Sequence, residues 1–455
     1  MVVRGPEGHS NARAGSEAST ITTMPEVSAP RGRLLVFGVL ALAHVLSQFL
    51  RHANAAIAPD VVVEFGLSAA SMGFMTSLFY VMFASSQIPL GHALDVWRPR
   101  YVMAAMMMAS VVGCVLFATA GSYAALAVGR AMMGVGMAVI LMGSMKILSG
   151  WFGARRFATA SGMLVGVSSL GGLLAASPLV SFTGQVGWRA AFWTTGGVIL
   201  AVALLVALLA KEAPHTPVAA VVAPAEGAAE GAAEPSASPS EGEAGPKGYG
   251  LLLRSGAFWR LTPLIFFLLG SLFATQGLWG GLFVRDVLGV KGAGLGTYLT
   301  TMALGVTAGY FVCGYIADRV GVVRMALIGA SMFLAANLAL VVATWIPNAA
   351  FVLIVYGVFG FAGAFNVLFL VQAGLAFPSG LTGRALAGVN MFGIGGAALV
   401  QYGMGVVIAL FPQDAFGTYP PAAYRTAYLI VAVGMALALA VYVPLARRVR
   451  PAGNR

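Results

Sequence analysis

Charge is the scarcest commodity in this sequence. Only 9% of its 455 residues are Asp, Glu, Lys or Arg, against about 25% in an ordinary soluble domain, which excludes a water-soluble globular fold for most of the chain. Cysteine is nearly missing. Cys114 and Cys313 sit inside apolar runs in opposite halves and read as small packing residues, with no disulfide expected. Also lacking are a Gly-x-x-x-x-Gly-Lys-Ser/Thr phosphate loop, a His-Glu-x-x-His pair and a Cys-x-x-Cys. Nothing therefore points to ATP use, covalent catalysis, a bound metal or a cofactor, and no enzyme activity is expected. The apolar runs lack the alternation of a membrane barrel. The net charge of +11 could suggest nucleic acid, but the basic residues are scattered through short loops, so no nucleic-acid partner is expected.

What is abundant is hydrophobic sequence, 59% of the chain, together with 59 glycines. Apolar stretches of roughly 20 residues recur about a dozen times, each long enough to cross a ~30 Å hydrocarbon core as a helix. The glycines suit small-residue helix packing in lipid. The predicted spans are 34–57, 71–93, 101–120, 124–149, 158–182 and 188–210, then 259–285, 293–316, 321–345, 349–374, 384–411 and 424–446. They divide the chain into a polar tail (1–33), a first bundle (34–210), an Ala/Glu/Pro/Gly/Ser-rich linker (211–257), a second bundle (258–446) and a short tail (447–455). The N-terminal tail and the linker are too polar to bury a core and are expected to be disordered. The first residues do not resemble a signal peptide, so the first apolar run should remain as an uncleaved anchor. The Met-rich run Met103 to Met108 reads as packing or a lipid-facing surface, not a metal site.

Most of the 26 Lys and Arg fall on the side of the termini and linker. Arg189, Arg285, Lys291 and Arg425 fall on the other side, while Arg51 and Arg130 lie within spans. By the positive-inside rule the termini and linker are cytoplasmic. The expectation is a multi-pass protein of the cell inner (plasma) membrane, in contact with lipid and monomeric.

The chain is also internally repeated. Gly314-Tyr-Ile-Ala-Asp-Arg-Val-Gly-Val-Val-Arg324 joins two apolar runs in the second half. Gly91-His-Ala-Leu-Asp-Val-Trp-Arg-Pro-Arg100 occupies the same place in the first. A weaker echo links Trp151–Gly162 with Phe377–Gly388, each placing arginine before a Gly-rich helix. Such self-similarity means two related bundles. The Gly-x-x-x-Asp-Arg-x-Gly-x-x-Arg pattern resembles the loop signature of the major facilitator superfamily of secondary transporters. The earlier copy departs from it at Val96 and Arg98. The resemblance implies an all-α membrane protein of twelve transmembrane helices in two pseudo-symmetric six-helix bundles, with substrate held between them near the midplane. It also implies a gating role for the loops, with Asp95 and Asp318 capping or pairing at helix ends and Arg100, Arg319 and Arg324 as partners. Such contacts are worth about 0.3–1 kcal/mol and are easily made and unmade.

Charges inside spans are the candidate site. A charge in hydrocarbon costs about 2.5–3.5 kcal/mol on insertion scales and usually faces a cavity or a partner. Arg51 lies in span 1 and Arg130 in span 4, within Gly129-Arg-Ala-Met-Met-Gly-Val-Gly136, which resembles the superfamily's span-4 motif and implies a structural or coupling role. No Asp or Glu lies deep in any span. One partner for the arginines is therefore a small anionic substrate, gripped as a planar fork grips carboxylate or phosphate. The other reading has Arg51 snorkelling outward or pairing with Asp60 or Glu64. Its span also resembles that of the organophosphate:phosphate antiporter branch, whose second arginine, in span 7, is replaced here by Phe273. Gln276 and Trp279 are the span-7 candidates for contact with substrate, joined by His44, Asn366 and Asn390; Asn54, Gln372 and Gln401 are further polar candidates, and Lys146 could snorkel. His44 is the candidate carrier of a coupling proton, and the expected coupling ion is a proton or a counter-anion. Two other functions stay open: an exporter of apolar or cationic compounds, and a membrane sensor without flux.

Overall fold

The computed structural model describes residues 30–212, 247–377 and 379–448, which are helical nearly throughout and contain no strand. The disorder expected of the N-terminal tail and most of the linker lies outside the described residues. The last part of the predicted linker differs from expectation: Lys247–Arg254 is a helix that inserts Leu252 (1% exposed) into the core.

Eleven stretches of the described residues are long and apolar enough to cross a membrane. One, Thr159–Leu209, runs 51 residues, about twice what a single crossing needs. It is bent at Gly187, whose φ of 81° suits a residue without a Cβ. Counted as two passes it gives twelve spans in two sets of six.

Span 1 is built from Pro30–His52 and Asn54–Phe65, span 2 is Ala69–Val96 and span 3 is Pro99–Ala118. Span 4 starts as Tyr123–Met137 and continues into Ile140–Ser168, so the segment expected to open span 5 as a loop is carried within a helical run. Leu170–Leu174 and Ser177–Leu209 complete spans 5 and 6. Span 7 joins Gly256–Ala274, a wide π turn at Thr275–Trp279, and Gly280–Leu288. Spans 8 and 9 are Ala293–Val320 and Val322–Ala343. Span 10 is Ala349–Gly363, a tight turn at Ala364–Asn366, and Val367–Ala376; spans 11 and 12 are Ser379–Ile408 and Pro421–Arg448.

The irregularities repeat with the sequence. The offset from Asp95 to Asp318 carries the break at Ala53 in span 1 onto Gln276 in the π turn of span 7. The same offset carries the break after Met137 in span 4 to within a turn of the one at Ala364–Asn366 in span 10. Breaks of this kind are tolerated at membrane depth where the freed backbone groups face protein or a cavity.

Helices in lipid gain nothing from hydrophobic exclusion and associate through close packing. Within the halves, glycine makes that possible. A Cβ on Gly134 would stand 2.2 Å from the Phe79 carbonyl oxygen, and one on Gly360 would stand 2.1 Å from that of Met302. The same device joins the two halves on the side away from the termini. A Cβ on Gly281 (span 7) would stand 2.1 Å from the Ala55 carbonyl oxygen (span 1). Gly405 (span 11) meets Ala69 (span 2) and Gly296 (span 8) meets Ser177 at 2.6 and 2.8 Å in the same sense. Hydrogen bonds stitch this seam: Ala69 N–H donates to Tyr419 Oη at 3.0 Å, Ser177 N–H to Thr300 Oγ1 at 3.1 Å, and Gln413 Nε2 to the Leu67 carbonyl at 3.2 Å. The far side is closed.

Two charges help hold that closed face. Asp286, its side chain fully buried, accepts hydrogen bonds from Arg285 Nε, from Tyr424 Oη at 2.6 Å and from the Tyr419 N–H at 3.1 Å, while Arg285 Nη2 donates to the Gly417 carbonyl at 2.7 Å. The node pins the loop carrying Tyr419 and Gln413, the residues that reach across the seam. Removing one partner of a buried pair leaves the other uncompensated and costs about 3–5 kcal/mol. Asp286→Ala is therefore expected to lower the melting temperature in detergent well below that of the wild type, with Tyr424→Phe giving a smaller loss. Nearer the surface, Glu64 accepts from Arg189 and from Trp188 Nε1.

Candidate functional site

Span 1 presents His44, Gln48, Arg51 and His52 at helical spacing, and all but Gln48 are at least nine-tenths buried. Arg51 has no carboxylate and no hydrogen-bond partner among the described residues. Its guanidinium sits between two rings instead, 5.1 Å from the centroid of Phe83 and 5.3 Å from that of Phe273. The alternative of pairing with Asp60 or Glu64 is overturned: Arg51 forms an ion pair with neither, and Arg189 holds the Glu64 carboxylate. Snorkelling is overturned as well, since Arg51 is 8% exposed.

Phe273 is the hub. Tyr80 stacks on it at 5.7 Å with an interplanar angle of 12°, and His52 meets it edge-on at 6.0 Å. The ring also lines a narrow cleft between the halves, walled by Gln48 and His52 of span 1, Ser169 and Gly172, Gln276 of span 7, and Thr307 and Tyr310 of span 8. Around this cleft, buried polar atoms stand without partners: Arg51 Nε, His52 Nδ1, Gln48 Oε1, Tyr80 Oη and both side-chain atoms of Gln401. Tyr80 Oη and Gln401 Oε1 converge on Gly277, at 3.3 and 3.8 Å from where its Cβ would stand. Unpartnered buried polar atoms are costly and call for an occupant. The cluster supplies a fixed positive charge, aromatic faces and several neutral groups able to donate or accept.

Arg130 is completely buried and does a different job. Nη1 donates to the Leu50 carbonyl at 3.0 Å, and the guanidinium lies 5.0 Å from the Phe79 centroid. It thus ties span 4 to span 1 one residue before Arg51. Asn54 Nδ2, donating to Thr76 Oγ1 at 2.9 Å, fixes the next turn of span 1.

Of the other residues expected from sequence, Gln276 lines the cleft. Asn366 donates to Tyr310 Oη at 3.3 Å and so touches a cleft residue. Trp279 is fully buried in the seam, its Nε1 donating to the Gln401 carbonyl at 3.0 Å, away from the cleft walls. His44 is buried with both ring nitrogens unpartnered, and Asn390 is half-buried on span 11; neither lines the cleft. His52, Gln48, Tyr80, Thr307 and Tyr310 were not singled out. The signal for Gln48 was its place one helical turn before Arg51, and for His52 its place one turn after Gln48.

The loop contacts differ from expectation. Asp95 pairs with Lys146 at 2.9 Å, not with an arginine, and Lys146 does not snorkel freely but also donates to the Leu94 carbonyl at 2.7 Å. Arg100 faces Glu212 at 3.6 Å. In the second loop Arg319 lies 4.1 Å over Tyr315, while Asp318 and Arg324 are exposed with no ion pair among the described residues. The physical reason is spatial: the inner end of span 4 packs beside the first loop, a neighbour that sequence separation does not reveal. Cys114 and Cys313 are both buried and free.

Two sets of membrane-spanning helices with a cleft between them define a membrane carrier of the permease class. The sequence profile of the Major Facilitator Superfamily matches residues 40–400, and the chain belongs to that family. Among its curated relatives are a probable sulfoacetate transporter of Cupriavidus necator, 28% identical over 40% of this chain and 42% of the relative, and a galacturonate transporter of Dickeya chrysanthemi, 30% identical over 38% and 50%. The matches thus span half or less of those relatives' length. The fold is similar to that of a bacterial homologue of the human lysosomal transporter Spinster, crystallised inward-facing and unoccupied. The TM-score is 0.71 at 17% identity, covering 92% of this chain and 98% of that one.

Proposed function

We propose that this chain carries a small organic anion across the inner membrane by alternating access, with Arg51 as the anchor for the negative group. One observation carries the reading: a buried guanidinium, packed on the Phe273 ring of the cleft wall, that has no carboxylate and no hydrogen-bond partner among the described residues. Leaving it unsatisfied is expensive, and an anion in the cleft would supply both the countercharge and a fork-shaped acceptor. Phe83 and Phe273 hold the guanidinium plane, at cation–π strengths of about 0.5–2 kcal/mol. The relatives named above for sulfoacetate and galacturonate handle solutes of this kind, which supports the substrate class.

Gln276, His52 and Tyr80 would meet the uncharged part of the solute. With the termini cytoplasmic, the closed seam is the outer gate, and the pairs at Asp95 and Arg100 belong to the inner one. The test is a thermal-shift screen of purified protein against small carboxylates and sulfonates alongside their uncharged amide or alcohol analogues. A ligand that binds the folded state alone raises the melting temperature. Stabilisation by at least one anion, with none by its neutral analogue, is expected; stabilisation by apolar or cationic compounds alone would favour the exporter reading.

A further inference from the structure

A second basic site lies away from the central cleft, at the end of the first bundle that carries the linker. Arg98, Arg100, Lys211 and Glu212 line an open depression of ≈ 360 Å³. Three cations thus face one carboxylate, and that carboxylate does not satisfy them. The Arg100–Glu212 contact is 3.6 Å, too long for a hydrogen bond, and both Arg100 Nε and Glu212 Oε1 are buried without a hydrogen-bond partner. Arg98 and Lys211 have no ion pair among the described residues, and the neighbouring acid, Asp95, is taken by Lys146. The site is nonetheless built. Arg100 donates to Tyr101 Oη at 3.0 Å and stacks on its ring, its side chain only 12% exposed, while Trp151 Nε1 fixes the Lys211 carbonyl at 2.7 Å.

We infer that this pocket binds the phosphate of an anionic membrane lipid. The ligand chemistry is a phosphate oxyanion, which free phosphate could also offer; the surroundings select the lipid. The pocket opens where the apolar span 3 begins, at Pro99. Trp97 and Tyr101 flank it at 66% and 51% exposure, with Val96 and Leu208 also exposed beside it. Exposed Trp and Tyr next to apolar side chains mark the headgroup level of a bilayer, and basic pockets between helices at that level suit anionic headgroups. The site needs only that the chain be embedded in a membrane, so it stands independently of the transported solute.

The experiment uses the full chain in neutral detergent and adds, at equal phosphate concentration, phosphatidylglycerol, phosphatidylcholine or inorganic phosphate. Thermal unfolding and native mass spectrometry are the readouts. Phosphatidylglycerol is expected to raise the melting temperature by several degrees over phosphatidylcholine and to leave a retained lipid adduct. The double variant Arg98→Gln/Lys211→Gln should lose most of both effects, while the charge-conserving Arg98→Lys/Lys211→Arg keeps them, which separates lost binding from a damaged fold. No preference for phosphatidylglycerol, or one that survives in the glutamine variant, overturns the proposal. An equal shift with inorganic phosphate alone overturns the lipid assignment.

Discussion

Arg51→Gln is expected to lower uptake of the anionic substrate by about 10- to 100-fold at limiting concentration. Hydrogen bonds to a charged group contribute about 1.5–3 kcal/mol, and each 1.4 kcal/mol is roughly tenfold in affinity. Arg51→Lys should rescue only partly, because an ammonium carries the charge without the planar fork. The same position makes a second, opposite prediction. The fold holds this charge nine-tenths buried without a carboxylate partner among the described residues, so Arg51→Met should raise the melting temperature measured without ligand while abolishing the ligand-induced shift. A residue serving mainly to clamp Phe83 and Phe273 would behave the other way, with stability lost and transport largely kept. Uptake in proteoliposomes and melting of the same preparations measure both halves of the prediction.

Gly281→Val should jam the cycle with the far side open. The three atoms nearest a Cβ at this position all belong to the Ala55 backbone, the closest at 2.1 Å, so no side-chain rotation relieves the clash. Overpacking in a tight interface costs about 1–3 kcal/mol or more, and a penalty confined to one state shifts the balance by roughly 10- to 100-fold toward the other. Spin labels at the exposed far-face positions Val63 and Phe416 should then report a longer distance by pulsed electron resonance, and transport should fall with expression unchanged. Gly281→Ala should move both in the same direction by less. Wild-type distances with full transport would mean that the seam is not a moving gate.

The number of crossings was legible because hydrocarbon thickness sets a length that apolar runs either reach or do not. The predicted boundary before residue 188 falls at Gly187, where the chain bends. The repeated loop pointed to two halves, and the Asp95–Asp318 offset proved to carry structural breaks as well as residues. Polar residues mark those places (Asn54 beside Ala53, Gln276 in the π turn at Thr275–Trp279, Asn366 in the turn at Ala364–Asn366), but the breaks themselves were not legible. They arise from packing around a cavity, which no local propensity encodes. At the site, Arg51 announced itself by being a charge where none belongs. Phe273 was noticed only as the place where a second arginine was missing, and its role as the ring joining Arg51, Tyr80 and His52 depends on spans far apart in sequence. Asp95 was legible as a pairing residue, but its partner Lys146 was not.

A structure of the protein with the best anionic ligand from the thermal-shift screen tests the central claim most directly. The account predicts the ligand's negative group within about 3 Å of the Arg51 terminal nitrogens, with its neutral part against Gln276, His52 or Tyr80. A ligand seated elsewhere, or Arg51 bonded to a protein carboxylate in the occupied state, would contradict it.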